Sequence, residues 1–226
     1  FYYSSKDDFV LHRDTAYAMY NELGTANYKT QLNQDMTLDV SAGFTRYRNE
    51  NTLTSAPEEA RKETQEIFDI KFKSLLNYEY NNRHTFKGGI EVLYNQISPW
   101  ELNKGSDESL VNPILLEDEK AITSSVFIGD EMLPFPRFTL NAGLRYSLYT
   151  YLGPEEKYLY EDNIIVEENI EGTESYGNNS LVHFDHGLGI RVNGSYNAGA
   201  ENYINFSYNR NRQYIHMLTN SQSASP

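Results

Sequence analysis

The sequence predicts an all-β fold, an antiparallel sheet of about eight strands with one apolar and one wet face, or nine strands if the first dozen residues add one. Three observations predict it. Apolar residues recur at every second position in about eight segments of the 226-residue chain, the period of a strand. Short polar turns and long polar stretches alternate along the chain. The hydrophobic fraction is only 39%, with 19 Tyr and 11 Phe against one Trp. That balance, with a mean hydropathy of -0.65, suits a sheet wetted on one side better than a thick core.

The strands read in order as follows. Met36, Leu38, Val40, Ala42 and Phe44 alternate with Thr37, Asp39, Ser41, Gly43 and Thr45. Phe68, Ile70, Phe72, Leu76, Tyr78 and Tyr80 oppose Asp69, Lys71, Lys73, Asn77 and Glu79. Phe86, Ile90, Val92 and Tyr94 oppose Lys87, Gly89, Glu91 and Asn95. Phe138, Leu140, Ala142, Leu144, Tyr146 and Leu148 oppose Thr139, Asn141, Gly143, Arg145 and Ser147. Val182, Phe184, Leu188, Ile190, Val192 and Tyr196 oppose His183, Asp185, Arg191, Asn193 and Ser195.

The connections refine the class. Short turns are expected at Asn33-Gln34-Asp35, Asn81-Asn82-Arg83, Leu133-Pro134-Phe135-Pro136 and Asn197 to Asn202. Long loops are expected over Arg48 to Lys62, Pro99 to Glu117 and Gly153 to Asn179. One tight rim and one elaborate rim describe a transmembrane β-barrel, with periplasmic turns on one side and extracellular loops on the other. No apolar run reaches the ~20 residues of a spanning helix, so only a closed barrel would carry the chain through lipid. Tyr78 and Tyr80 before a short turn, and Tyr146, Tyr149 and Tyr151 before a long loop, suit the aromatic girdles of such a barrel, although Tyr is also simply a good strand former. The unfinished ends predict a partial barrel, with plug domain and closure outside residues 1–226.

Exclusions follow from composition. A net charge of -13 speaks against nucleic acid, and the lack of Cys excludes disulfides and thiolate metal sites. No Gly-x-Ser-x-Gly, His-Glu-x-x-His or phosphate-cradling loop occurs, so no enzyme and no cofactor are expected.

Three stretches carry a resemblance: Ile122-Thr-Ser-Ser-Val-Phe-Ile-Gly-Asp-Glu131, then Phe138-Thr-Leu-Asn-Ala-Gly-Leu-Arg-Tyr-Ser147 with Gly153-Pro154, and Tyr208-Asn-Arg-Asn-Arg-Gln-Tyr-Ile-His-Met-Leu-Thr-Asn220. In this order and spacing they resemble the barrel of TonB-dependent outer-membrane receptors, especially the Bacteroidetes type with a carboxypeptidase-like regulatory domain. The resemblance runs from about residue 64 onward and implies a barrel of about 22 strands, closed by an N-terminal plug. It implies a bacterial outer-membrane location, in contact with lipid and lipopolysaccharide. It also implies uptake of a bulky nutrient or metal chelate, energy from the TonB complex through the plug, and for many relatives a surface lipoprotein partner.

Candidate residues follow from the strand parity. Asp39, Lys71, Lys73, Glu91, Arg145, Asp185 and Arg191 would line the lumen and face the plug; the bland reading is that any polar residue serves there. Gly88, Gly89, Gly187 and Gly189 would let another backbone approach, or let the sheet bend. Trp100, Tyr158 and Tyr160 are candidates for stacking on substrate from the loops, with packing or a girdle role as the plain alternative. The carboxylates Glu155, Glu156, Glu161, Asp162, Glu167, Glu168, Glu171 and Glu174 read as a solvated loop rather than a calcium site. His183 and His186 point to opposite faces, so no metal site is expected. Two further functions stay open: a plug-less pore or secretion-type barrel, and a soluble all-β binding or adhesion domain.

Overall fold

The computed structural model describes residues 1–12, 14–160, 169–199 and 201–214. Their strands are β1 (Tyr2–His12), β2 (Thr15–Asn33), β3 (Met36–Leu53), β4 (Arg61–Asn81), β5 (His84–Lys104), β6 (Ile114–Leu115), β7 (Glu119–Phe135), β8 (Phe138–Leu152), β9 (Glu155–Tyr160), β10 (Ile170–Tyr176), β11 (Leu181–Gly199) and β12 (Asn202–Arg210). The main antiparallel sheet runs β1-β2-β3-β4-β5-β7-β8-β11-β12, with the short β6 on β5, and β9 pairs β10 as a separate hairpin. The nine long strands include the one expected from the first dozen residues.

Four two-residue hairpins make the tight rim: β2 to β3, β4 to β5, β7 to β8 and β11 to β12. Their sequences dictate them. Asn33, Asn81 and Asn197 each accept, through Oδ1, the backbone N–H two residues on, at 2.9, 2.8 and 2.9 Å. Arg137 and Glu201 take the positive φ that such turns require. Three of the four turns are also laced to the next strand: the carbonyls of Asp35, Arg83 and Arg137 accept from the N–H groups of Glu79, Leu133 and Asn197.

On the other rim two of the expected loops shrink. β3 runs on to Leu53, β4 begins at Arg61 and β5 runs to Lys104, so much of Arg48–Lys62 and Pro99–Glu117 is strand. The alternation signal fades there because Asn49–Thr52 is polar on both faces of β3, and because Pro99 precedes Trp100 and Leu102 on β5. β4 and β5 have 21 residues each. The loops that remain are tied together. Gly105 N–H donates to the Ala60 carbonyl at 2.8 Å, Ser109 Oγ donates to the same carbonyl at 2.6 Å, and Leu110 N–H donates to Glu58.

Register turns the separate apolar rows into one surface. Phe44, Ile70, Tyr94, Ile122 and Thr150 are successive partners across β3, β4, β5, β7 and β8. Ser74, Ile90, Val126, Tyr146 and Leu188 form another row, running from β4 to β11. These side chains are largely open to the surroundings: Ile70 is 47%, Val126 54%, Ile128 61% and Leu188 47% exposed. Among the described residues the only buried apolar ones are Ala60, Ala121 and Val182. No second layer packs on this face among the described residues.

The belt has chemical borders. Towards the tight rim lie aromatic contacts, Tyr78 with Phe86 (6.5 Å), Tyr80 with Phe86 (6.2 Å) and Phe135 with Phe138 (4.9 Å). Towards the long rim polar side chains enter the same face, Arg46, Gln96 and Lys120 standing in one register row with Phe68 and Leu152. There Arg46 grips Glu66 through two bonds of 2.9 Å. On β7 the belt extends from Lys120 to Met132. At ~3.3 Å per residue and ~45° tilt that is ~28 Å tall, close to the ~25 Å of an outer-membrane barrel.

Parity corrects part of the girdle. Tyr146 lies on the apolar face, but Tyr149 and Tyr151 share the face of Arg145 and Ser147. Tyr149 stacks there on Tyr214 at 5.4 Å, and Tyr151 donates to Glu155 at 2.9 Å. Position near a strand end was a weaker guide than odd or even numbering.

Candidate functional site on the polar face

The polar face gathers four of the seven expected charged residues around Glu91. Lys71 and Lys73 on β4, Glu91 on β5 and Arg145 on β8 share it because each sits an even number of residues from a polar-facing register partner. Arg145 Nη2 reaches Glu91 Oε1 at 2.8 Å across the intervening β7, and Lys71 Nζ lies 3.5 Å from Oε2. Ser125, opposite Glu91 on β7, is small enough to be bridged and is 5% exposed. A larger residue there would separate the charges.

One step along the strands, Phe127 carries two cations. Lys73 Nζ and the Arg145 guanidinium each stand 5.8 Å from its ring centroid. Beside it opens a cleft of about 420 Å³, whose polar-face lining includes Lys73, Lys87, Phe127, Glu131, Arg145 and Arg191. Lys87 pairs with Glu131 at 2.8 Å, and Arg191 Nε donates to Asn209 at 3.2 Å. Bare backbone floors the cleft at Gly129 and Gly143, which are register partners.

The remaining expected residues lie apart. Asp39 sits on β3 between Lys29 and Leu75 in register and belongs to no ion pair of the described residues. Asp185 on β11 is 3.7 Å from Arg212, both side chains about half exposed. Trp100 is not in a loop: it lies half-buried in β5, in a bulge where Pro99 and Trp100 interrupt pairing with β4. Pro99 has no N–H to give the ladder, which accounts for the bulge. Tyr158 is exposed on β9, in the hairpin that also carries Glu155, Glu156, Glu171 and Glu174 of the expected acidic loop. The side chain of Tyr160, and residues Glu161, Asp162, Glu167 and Glu168, fall outside the described residues. No cluster fit to hold a metal occurs among the described residues.

Sequence reasoning missed Lys87, Phe127 and Glu131, although their odd numbers placed them with Arg145. It also missed Asp130, a carboxylate on the apolar face in register with Phe86 and Ala142. His84 Nδ1 lies 2.7 Å from its Oδ2, while Oδ1 is buried without a partner. The break in the alternation Val126, Ile128, Asp130, Met132 was the available signal.

No protein-family model and no curated protein sequence matches the chain. Among solved structures it is similar to the closed form of the ferric-catecholate import receptor Fiu from E. coli K12, at 14% identity and a TM-score of 0.51, covering 86% of this chain and 33% of that one. It is similar also to the ferric citrate transporter FecA in its unliganded form, at 11% identity and a TM-score of 0.50, covering 83% of this chain and 26% of that one. The chain thus spans a third or less of these proteins, and the likeness is one of fold: an antiparallel barrel wall, open here between β1 and β12.

Proposed function

We propose that the chain is part of the barrel of a TonB-dependent outer-membrane receptor, which takes up a bulky nutrient or metal chelate. The observation that carries this reading is the apolar belt, continuous in register from β3 to β11 and bounded by aromatic and ionic borders. Such a surface is stable against lipid and unstable against water. On this reading the polar face with Glu91, Arg145 and Phe127 lines the lumen and meets a plug, and further strands pair with β1 and β12, since open edges are not tolerated in lipid. The long rim, with its tied loops and the β9–β10 hairpin, faces outward and meets substrate or a surface lipoprotein. The barrel likeness to two import receptors supports transport over catalysis.

The test uses the full-length protein in its own outer membranes. Fractionation is expected to place it there with heat-modifiable migration. Uptake of a ferric chelate, with ferric citrate and a ferric catecholate as the first probes, is expected to stop when TonB is removed. Steady ion conductance of the purified protein in planar bilayers, with uptake indifferent to TonB, would establish the plug-less pore instead.

A further inference from the structure

We infer that the cleft on the polar face holds an extended polypeptide segment carrying acidic residues at alternate positions. Charge points there first. The chain has 32 acidic against 19 basic residues, yet Lys73, Lys87, Arg145 and Arg191 converge on this cleft with Glu131 as the carboxylate of its polar lining. Asp130 borders the cleft by its backbone position, but its carboxylate is turned to the opposite face, towards His84. Glu131 pairs with Lys87, and Glu91 with Arg145. Lys73 and Arg191 are left with no ion pair among the described residues, Lys73 on the Phe127 ring and Arg191 bonded to a neutral Asn. The cleft therefore carries positive charge that nothing described in the chain neutralises.

Spacing then selects the occupant. The residues that carry the cations stand on three successive register levels along the strands: Lys73 with Glu91, Arg145 with Phe127, and Lys87 and Arg191 with Gly129 and Gly143. Adjacent levels differ by two residues, ~6.6 Å in an extended strand. An extended segment lying along β7 presents same-face side chains at that repeat, so alternate carboxylates meet successive cation levels. The glycine floor lets its backbone come close at the third level, and the Phe127 ring stands beside it at the second. A single small anion would meet one level only, in an open trough where water screens each contact. The inference rests on the polar face being shielded from lipid, as in the proposed function, but not on import.

The experiment is site-specific photocross-linking in the full-length protein within outer membranes. p-Benzoylphenylalanine replaces Asn141, at the cleft wall, or Val126, on the opposite face, and adducts are mapped by mass spectrometry. From Asn141 the expected adduct is a polypeptide segment with Asp or Glu at alternate positions; from Val126 it is lipid. The double variant Lys73→Glu, Arg191→Glu is expected to lower the Asn141 adduct about tenfold, while Lys73→Arg, Arg191→Lys keeps it within about twofold. Adducts from Asn141 to lipid, saccharide or small molecules, or to a segment without that alternation, would overturn the inference. So would a yield indifferent to charge reversal. Should the reversed variant fail to assemble, the map obtained with Asn141 replaced alone still decides. A protein that gives the acidic adduct but shows no TonB-dependent uptake would sink the import reading and leave this one standing.

Discussion

Replacing Val126 by Arg tests the lipid-facing belt at its centre. Val126 is 54% exposed on β7, beside Ile90 and Tyr146 in register, and lies six residues from both Lys120 and Met132, the borders of the belt. Six residues at ~3.3 Å with ~45° tilt put it ~14 Å from either border, at the midplane. A guanidinium there is expected to cost ~2–4 kcal/mol. In water the same change at a half-exposed strand position would cost under ~1 kcal/mol. The control is Asn193→Arg on the polar face, which gives up the bond from Ser207 Oγ (2.6 Å) and is expected to cost ~0.5–1.5 kcal/mol. The assay is equilibrium unfolding of the full-length protein in phospholipid vesicles, followed by tryptophan emission and heat-modifiable migration. Equal costs for the two variants, or a cost at Val126 below that at Asn193, would refute the assignment of faces.

Three further outcomes follow from packing. Gly89→Ala would drive its Cβ into the Ser74 carbonyl oxygen and to 2.8 Å from Phe127 Cζ, so it should destabilise by ~1–3 kcal/mol, whereas Gly177→Ala, with nothing within 4 Å, should be neutral in the same unfolding assay. Glu91→Gln leaves Arg145 and Lys71 without their shared carboxylate and should cost ~1–2 kcal/mol, most of it recovered in Glu91→Gln, Arg145→Met; a double-mutant cycle with no coupling would contradict the bridge over Ser125. Asp130→Leu removes a carboxylate from the apolar face and leaves only a part-exposed His84 ring unpaired, so stability in vesicles should hold or rise. A loss above ~2 kcal/mol would mean that Asp130 faces protein, not lipid.

How far the strands reach was harder to read than that they exist. Alternation is visible only where one face meets an apolar medium, so Phe68–Tyr80 and Phe138–Leu148 were plain, while Asn49–Leu53 and Pro99–Lys104 looked like loop. Tyr149 and Tyr151 were read by nearness to a loop and belong to the polar face, where a neighbouring ring and a carboxylate hold them. Trp100 is expected in a loop because it follows Pro99 at the start of a long polar stretch; it lies in β5 instead, where a bulge absorbs the proline.

By itself the sequence determined the class of fold, the four tight turns and the parity of β3, β4, β5, β8 and β11. Those are local matters: side chains alternate with period two, and Asn caps its own turn two residues on. Only the tertiary structure decided which charges meet. Glu91 and Arg145 are 54 residues apart and Lys73 and Arg145 share the Phe127 ring because register aligns β4, β5, β7 and β8. A shift of two residues between β7 and β8 would keep every apolar side chain on its face and still undo the contacts of Arg145 with Glu91 and Phe127. Parity constrains the face a residue shows; pairing alone constrains its neighbour.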